Sequence, residues 1–231
     1  MKTGILSISL AILLLTGDCK PVHPPDFIPP SESNRLHPFA GFGDSQFLTY
    51  LIQKGENANA RDHLGRLPLH YAVNLLGFDP EGEQTILEVL SENTADLNSK
   101  DNYGKTPLHY AVEFNKLKPL QYLLSKKANP GLPDNGGYSA LHYSAHLCHT
   151  DLLKEILNTG MDPDLPAENG DTSLHLSFFN DCSDTVQVLL EFGADPFRKD
   201  SEGRTPYDLI KQSNKKEYLD IPEDSFRRKK G

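Results

Sequence analysis

The chain has 231 residues, 37% hydrophobic and 24% charged, an ordinary globular composition sufficient for one or two domains. Its formal net charge of −9 argues against a general nucleic-acid binder, because phosphate contacts need clustered Lys and Arg, and the only dense basic run, Arg227-Arg228-Lys229-Lys230, stands at the extreme C-terminus. No phosphate-cradling Gly-rich loop, G-x-S-x-G or H-E-x-x-H occurs, so neither an enzyme nor a cofactor is expected.

Residues 1–18 read as a signal peptide. Lys2 is followed by the uncharged, mostly apolar stretch Gly4 to Leu15, which is shorter than the ~20 residues a membrane-spanning helix needs. Cys19 sits where a bacterial lipoprotein carries its lipidated cysteine, although Thr16 and Asp18 depart from that pattern. Two expectations follow: lipid attachment at Cys19, which would place the chain on a membrane, or cleavage near Gly17 without lipid. Residues 19–33 form a Pro-rich tether (Pro21, Pro24, Pro25, Pro29, Pro30). Extended polyproline II at ~3.1 Å per residue would hold a domain up to ~45 Å from its anchor. The absence of any Asn-x-Ser/Thr sequon among fourteen asparagines leans toward a bacterial cell envelope rather than a eukaryotic secretory route.

From 34 to 221 a phrase keeps returning. Leu67-Pro68-Leu69-His70-Tyr71-Ala72 comes back as Thr106-Pro107-Leu108-His109-Tyr110-Ala111. Weaker copies are Ser139-Ala140-Leu141-His142-Tyr143-Ser144 and Thr172-Ser173-Leu174-His175-Leu176-Ser177, with an eroded copy at Leu36-His37 and a last echo at Thr205-Pro206-Tyr207-Asp208. The third residues fall at 36, 69, 108, 141, 174 and 207, so the period is 33 except for one step of 39. Phrase and period resemble the ankyrin repeat. The resemblance implies an all-α solenoid of about six helix–turn–helix units joined by β-hairpin fingers. The charged stretch 222–231 would follow as a tail.

Each unit reads as a turn and two antiparallel helices. Thr106, Ser139, Thr172 and Thr205 stand as N-caps whose hydroxyls would accept a backbone N–H, and Pro68, Pro107 and Pro206 take the first helical position. The second helices carry apolar stripes: Leu48/Leu51/Ile52, Leu87/Leu90, Leu120/Leu123/Leu124, Leu153/Ile156/Leu157 and Val186/Leu189/Leu190. No unit buries its stripe alone, so stacking must make the core. Glycines four residues before each key Leu or Tyr suggest left-handed finger turns, and Gly55, Gly160 and Gly193 suggest C-caps. Thr94 and Lys127 in place of such a glycine predict looser helix ends, and Cys148 where other units have Gly43, Asn115 or Asp181 predicts strain or a different turn. The extra residues in Gly77 to Gln84 predict a longer loop between two helices.

His70, His109, His142 and His175 form a row, one per unit. In the family this imidazole hydrogen-bonds around the turn and the preceding threonine, so the row is expected to be structural. His146, Cys148, His149 and Cys182 fit no standard metal spacing, and no metal is expected. A Cys148–Cys182 disulfide would suit an oxidising compartment. Equivalent turns of stacked units are expected to exceed the ~7 Å Cα limit, however, which favours two unpaired thiols.

Family resemblance places partner contacts on finger tips and exposed first-helix faces. The matching positions are Arg61, His63, Leu64 and Arg66 with Asn74 and Leu75, then Lys100, Asn102, Tyr103 and Lys105 with Glu113 and Phe114. Asn135, Tyr138, His146 and Leu147 follow, and then Glu168, Asn169, Asp171, Phe179 and Asn180. This track runs from basic to acidic, at Glu168 and Asp171, and predicts an unidentified protein partner with the complementary order of charge.

Overall fold

The computed structural model describes residues 36–42, 45–74, 80–180 and 182–213, with backbone only at 42, 80–85, 179 and 211–213. The signal peptide, Cys19, the tether, Leu75 and the 222–231 tail lie outside the described residues. All described residues fall within the unit Ser33–Gly231.

Helices come in pairs: α1 (Leu36–Phe42) with α2 (Ser45–Gln53), α3 (Pro68–Ala72) with α4 (Pro80–Asn93), and α5 (Pro107–Glu113) with α6 (Leu117–Ser125). They continue as α7 (Ala140–His146) with α8 (Thr150–Asn158) and α9 (Ser173–Phe179) with α10 (Ser183–Glu191), and α11 (Pro206–Ser213) follows. The first helices stack in one row and the second helices in another, each on its nearest neighbours. Among the described residues no helix is long and apolar enough to cross a membrane.

Leucine spacing explains the two rows. Leu36, Leu69, Leu108, Leu141 and Leu174 of the first helices are at most 1% exposed, as are Leu48, Leu87, Leu90, Leu120, Leu123, Leu153, Ile156, Val186 and Leu189 of the second. Full burial of one such side chain contributes about 1.5–3 kcal/mol. Ile52, Leu124 and Leu190 are only half-buried, at the edge of each stripe. Small residues keep the first helices close: Ala40, Ala72 and Ala111 are fully buried, and where Ser144 and Ser177 replace alanine, their hydroxyls donate to the carbonyls of Leu141 and Leu174 at 2.7 and 2.8 Å.

The fingers differ from the expected β-hairpins. No strand occurs among the described residues; each finger closes as a tight loop, with Asp62, Asp101, Asp134, Ala167 and Asp200 donating their N–H to the carbonyl four residues on. Successive fingers are linked by backbone bonds from Asn102 to Leu64, Asn135 to Tyr103 and Ser201 to Asn169, at 2.9–3.0 Å. That spacing has a steric consequence. Gly104 has φ +77, and a Cβ built there would lie 2.6 Å from the backbone nitrogen of Asn135, whereas Gly203, φ +79, has nothing within 4 Å.

The histidines at the helix N-termini hydrogen-bond around the turn and to the preceding hydroxyl, as the resemblance implies. Thr106, Ser139 and Thr172 form capping boxes with His109, His142 and His175, and the hydroxyls of the three capping residues lie 2.8, 2.8 and 2.9 Å from Nδ1 of the histidines. The same nitrogens accept the backbone N–H of those three residues at 3.1 Å, and His70 Nδ1 accepts Leu67 N–H at 3.0 Å. A nitrogen that accepts an amide proton carries none itself, so the hydroxyls donate. Nε2–H then donates forward to the next unit: His70 to Lys105 O, His109 to Tyr138 O, His142 to Leu165 O and His175 to Arg204 O, at 3.0–3.2 Å. Thr205 accepts Asp208 N–H at 3.1 Å, the capping contact expected of it.

Two expected irregularities resolve differently. The extra residues do not all form a loop: Pro80 to Gln84 extend α4 to fourteen residues, against nine for the other second helices, and 77–79 lie outside the described residues. Proline at the first position of α4 costs no hydrogen bond. Lys127 does not loosen its helix end; it takes φ +65 and keeps the turn bonds Lys127 N–H to Leu124 O and Ala128 N–H to Leu123 O, which match those at Gly193 and Ala194.

Three outcomes are expected. Gly104→Ala lowers stability in denaturant titration by at least ~1 kcal/mol more than Gly203→Ala, since only the former adds a clash to the left-handed penalty; equal losses would refute the close-approach argument. Lys127→Gly raises stability by roughly 1 kcal/mol by relieving the left-handed side chain. Burial holds all four histidines below their ordinary value of 6.5, with His70 and His142 at about 4. The unfolded chain therefore binds more protons between those values. The melting temperature is full above pH 6.5 and drops as pH falls toward 4; a flat profile across that window would show that the neutral imidazoles are not coupled to folding.

Candidate functional site

The finger track rests on aspartates that sequence reasoning did not single out. Asp62, Asp101, Asp134 and Asp200 each stand seven residues before the key Leu or Tyr. Their Oδ1 atoms accept backbone N–H groups two and four residues on at 2.8–3.0 Å: Leu64 and Arg66, Tyr103 and Lys105, Gly136 and Tyr138, Glu202 and Arg204. The Oδ2 atoms of the first three accept the hydroxyls of Tyr71, Tyr110 and Tyr143 at 2.6–2.7 Å. Burial would raise the Asp62 carboxyl, but the donors Tyr71, Arg66 and Leu64 outweigh it and hold it well below the usual range, while burial and the same hydrogen bond push Tyr71 up to about 12. The signal was a fixed offset within the 33-residue period, an Asp and a Tyr nine positions apart.

This frame sorts the expected partner-binding residues. Tyr103 and Phe114 are open, 56% and 41% exposed. Phe114 is stacked on Tyr110 at 6.0 Å rather than packed under its neighbours. Arg61, His63, Lys100, Asn102 and Glu168 are also exposed, and Leu64, Lys105, Tyr138 and Leu147 are half-buried. Several of these side chains also join fingers together: Arg61 donates to Gly65 O and Lys100 O, Lys100 to Pro133 O, and Asn102 to His63 O. Lys105 pairs with Glu113 at 3.1 Å and lies over the Tyr143 ring at 4.9 Å. Arg66 is drawn inward by Asp62 and Tyr71. The side chain of Phe179 lies outside the description.

Asp171 requires a correction. It is 5% exposed, so the acidic end of the track rests on Glu168 alone. The cause is an exchange within one finger. Ala167 stands where other fingers have Asp, Leu176 where α3, α5 and α7 have Tyr, and Asp171 where other fingers have Arg66, Lys105, Tyr138 or Arg204. Asn169 takes over the turn, accepting Asp171 N–H at 3.1 Å and donating to Asp171 Oδ2 at 2.7 Å.

Ligand atoms of Asp171, His175 and Asp200 consequently lie within 4.8 Å of one another, and Asp171 Oδ1 is buried without a hydrogen-bond partner. These three residues could hold a cation only at the expense of existing bonds. His175 uses both ring nitrogens, and Asp200 Oδ2 is paired with Arg204 Nε at 2.8 Å. His175 makes the bond to the next unit, to Arg204 O at 3.2 Å, while Asp171 and Asp200 bond within their own fingers.

The second correction concerns the cysteines. Cys148 and Cys182 are joined by a disulfide, with Cα atoms 5.1 Å apart rather than beyond the limit for bridging. Their separation of 34 residues exceeds the repeat by one, so the bridge runs diagonally between successive inter-helix turns. Cys148 takes φ +57, as Asn115 does in the preceding unit with φ +53, so the turn is the same one despite the change of residue. With both sulfurs bonded, neither offers a thiolate to a metal.

A family model described as "Ankyrin repeats (3 copies)" matches residues 36–134 and 120–200. No curated protein matches the chain. The matched residues span more than half of the sequence and coincide with the paired helices, the finger loops and the histidine row, and the chain belongs to the ankyrin-repeat family.

Proposed function

We propose that this protein is a non-enzymatic scaffold, exported to a bacterial cell envelope, that binds another protein through its finger track. The observation that carries this reading is the pair of open aromatics, Tyr103 at 56% and Phe114 at 41% exposure, on the finger and first helix of one unit. Large aromatic rings left in water favour interface anchors, and aromatic side chains dominate binding energy at interfaces. Arg61 and Lys100 flank them toward the N-terminal end and Glu168 lies toward the other end, so the partner carries acidic charge followed by basic charge.

Export is supported by the apolar N-terminal stretch and by the disulfide, which persists in oxidising compartments and is rare in the cytosol. Lipid on Cys19 would hold the array at a membrane by its Pro-rich tether. The second reading is a soluble periplasmic or secreted binder that regulates or protects an enzyme, and the departures at Thr16 and Asp18 favour it. Mass spectrometry of the mature N-terminus distinguishes the two.

Crosslinking capture from a native envelope fraction tests the surface, comparing wild type with a Tyr103→Ala/Phe114→Ala variant shown to be folded by circular dichroism. The expected result is one protein enriched with wild type and lost with the variant. Equal enrichment would remove the track as the interface.

A further inference from the structure

The two ends of the disulfide face different surroundings. Cys148 is exposed, whereas Cys182 is 4% exposed. Cys148 lines a cleft of about 520 Å³ together with Asn115, His149, Thr150, Asp151, Lys154, Asp184 and Glu191, and Cys182 does not line it. An entering thiol therefore meets one sulfur only. Exchange rate depends on which sulfur can be reached and on how readily the other departs. Cys182 is the N-cap of α10, where aligned backbone N–H groups favour a departing thiolate, against the opposing charge of Asp184 in the first turn. The carbonyl oxygens of His146 and Asn180 lie 3.9 and 3.8 Å from Cys182 Sγ, placed to receive an S–H once the bridge has opened.

We propose that the Cys148–Cys182 bridge is a thiol-exchange site, entered through this cleft, at which a dithiol reductant attacks Cys148 and Cys182 is the leaving sulfur. A thiolate of the dithiol bonds to Cys148 Sγ, the Cys148–Cys182 bond breaks, and its electron pair leaves on Cys182, which takes up a proton. The second thiol of the reductant, deprotonated, attacks the mixed disulfide and releases Cys148. The dithiol ends as a disulfide; two electrons and two protons have passed to the cysteine pair. His149 also lines the cleft, and its Nδ1–H donates to Val112 O at 2.9 Å, which leaves Nε2 as the nitrogen able to accept the proton of an entering thiol. The charged groups facing the cleft are three carboxylates, Asp151, Asp184 and Glu191, against one Lys154, so the entrance favours neutral or cationic thiols.

The experiment uses native, folded protein and three small monothiols of different charge: cysteamine, 2-mercaptoethanol and mercaptoethanesulfonate. Acid quenching and peptide mapping locate the mixed disulfide. Before treatment, alkylation is expected to leave Cys148 and Cys182 unlabelled. After treatment the adduct is expected on Cys148, with cysteamine about threefold to tenfold faster than mercaptoethanesulfonate at low salt and the difference shrinking as salt is added. Free Cys148 and Cys182 thiols in the native protein, an adduct on Cys182, or exchange only in denaturant would each overturn the proposal. Equal rates for the three thiols at low salt would overturn entry through the acidic cleft.

Discussion

A neutral imidazole accepts at one ring nitrogen and donates at the other, and this array depends on that asymmetry. Nδ1 of His70, His109, His142 and His175 closes the start of its own helix, while Nε2 reaches a carbonyl of the next unit. Each side chain thus fixes local geometry and the junction between units at once. One such bond contributes only ~0.5–1.5 kcal/mol net, but losing its partner leaves a buried polar group unsatisfied, which costs more. Protonation would place a proton on an Nδ1 that already faces a backbone N–H, and in His109, His142 and His175 a hydroxyl as well, so burial and hydrogen bonding demand the same uncharged form. His37, 5% exposed and 2.7 Å from Arg66 O, makes the corresponding forward contact at the N-terminal end of the described array.

The fingers obey a second rule. At Asp62, Asp101 and Asp134 one carboxylate folds the loop with Oδ1 and receives a tyrosine with Oδ2, so Asp and Tyr form a unit although they lie nine positions apart. Where the tyrosine position is Leu209, Asp200 Oδ2 takes Arg204 Nε at 2.8 Å instead, and where Ala167 and Leu176 stand both members of the pair are replaced together. Asn169 then holds the turn, and Asp171 moves inward beside His175 and Asp200. The loss of an outward acidic residue is thus a consequence of how one finger folds.

The inter-helix turns carry the functional individuality. Asn115 and Cys148 share one left-handed geometry, yet the cysteine adds a covalent link that the asparagine cannot. Because Cys182 lies one residue beyond the repeat register, the bridge is diagonal, with one sulfur at the surface and the other under it. That difference in access gives the bond a direction of attack, while the open aromatics of Tyr103 and Phe114 belong to the finger and first helix of an earlier unit.

The sequence by itself determined the period, the helix pairs, the buried leucine rows and the structural role of the histidines, because each of these repeats and repetition is visible without coordinates. It also carried the Asp–Tyr offset, in the same 33-residue register as the histidine phrase. Tertiary structure decided what depends on distances between units. The separation of Cys148 and Cys182 follows from a one-residue offset between stacked turns, which the spacing alone could not turn into ångströms. The burial of Asp171 goes with the replacement of the finger aspartate by Ala167 and of its tyrosine by Leu176, a rearrangement that no one of these positions shows by itself. The extension of α4 over Pro80–Gln84 was settled by helix propagation, and local composition read equally well as loop. What repeats is set by the chain; what one repeat does to its neighbour is set by packing.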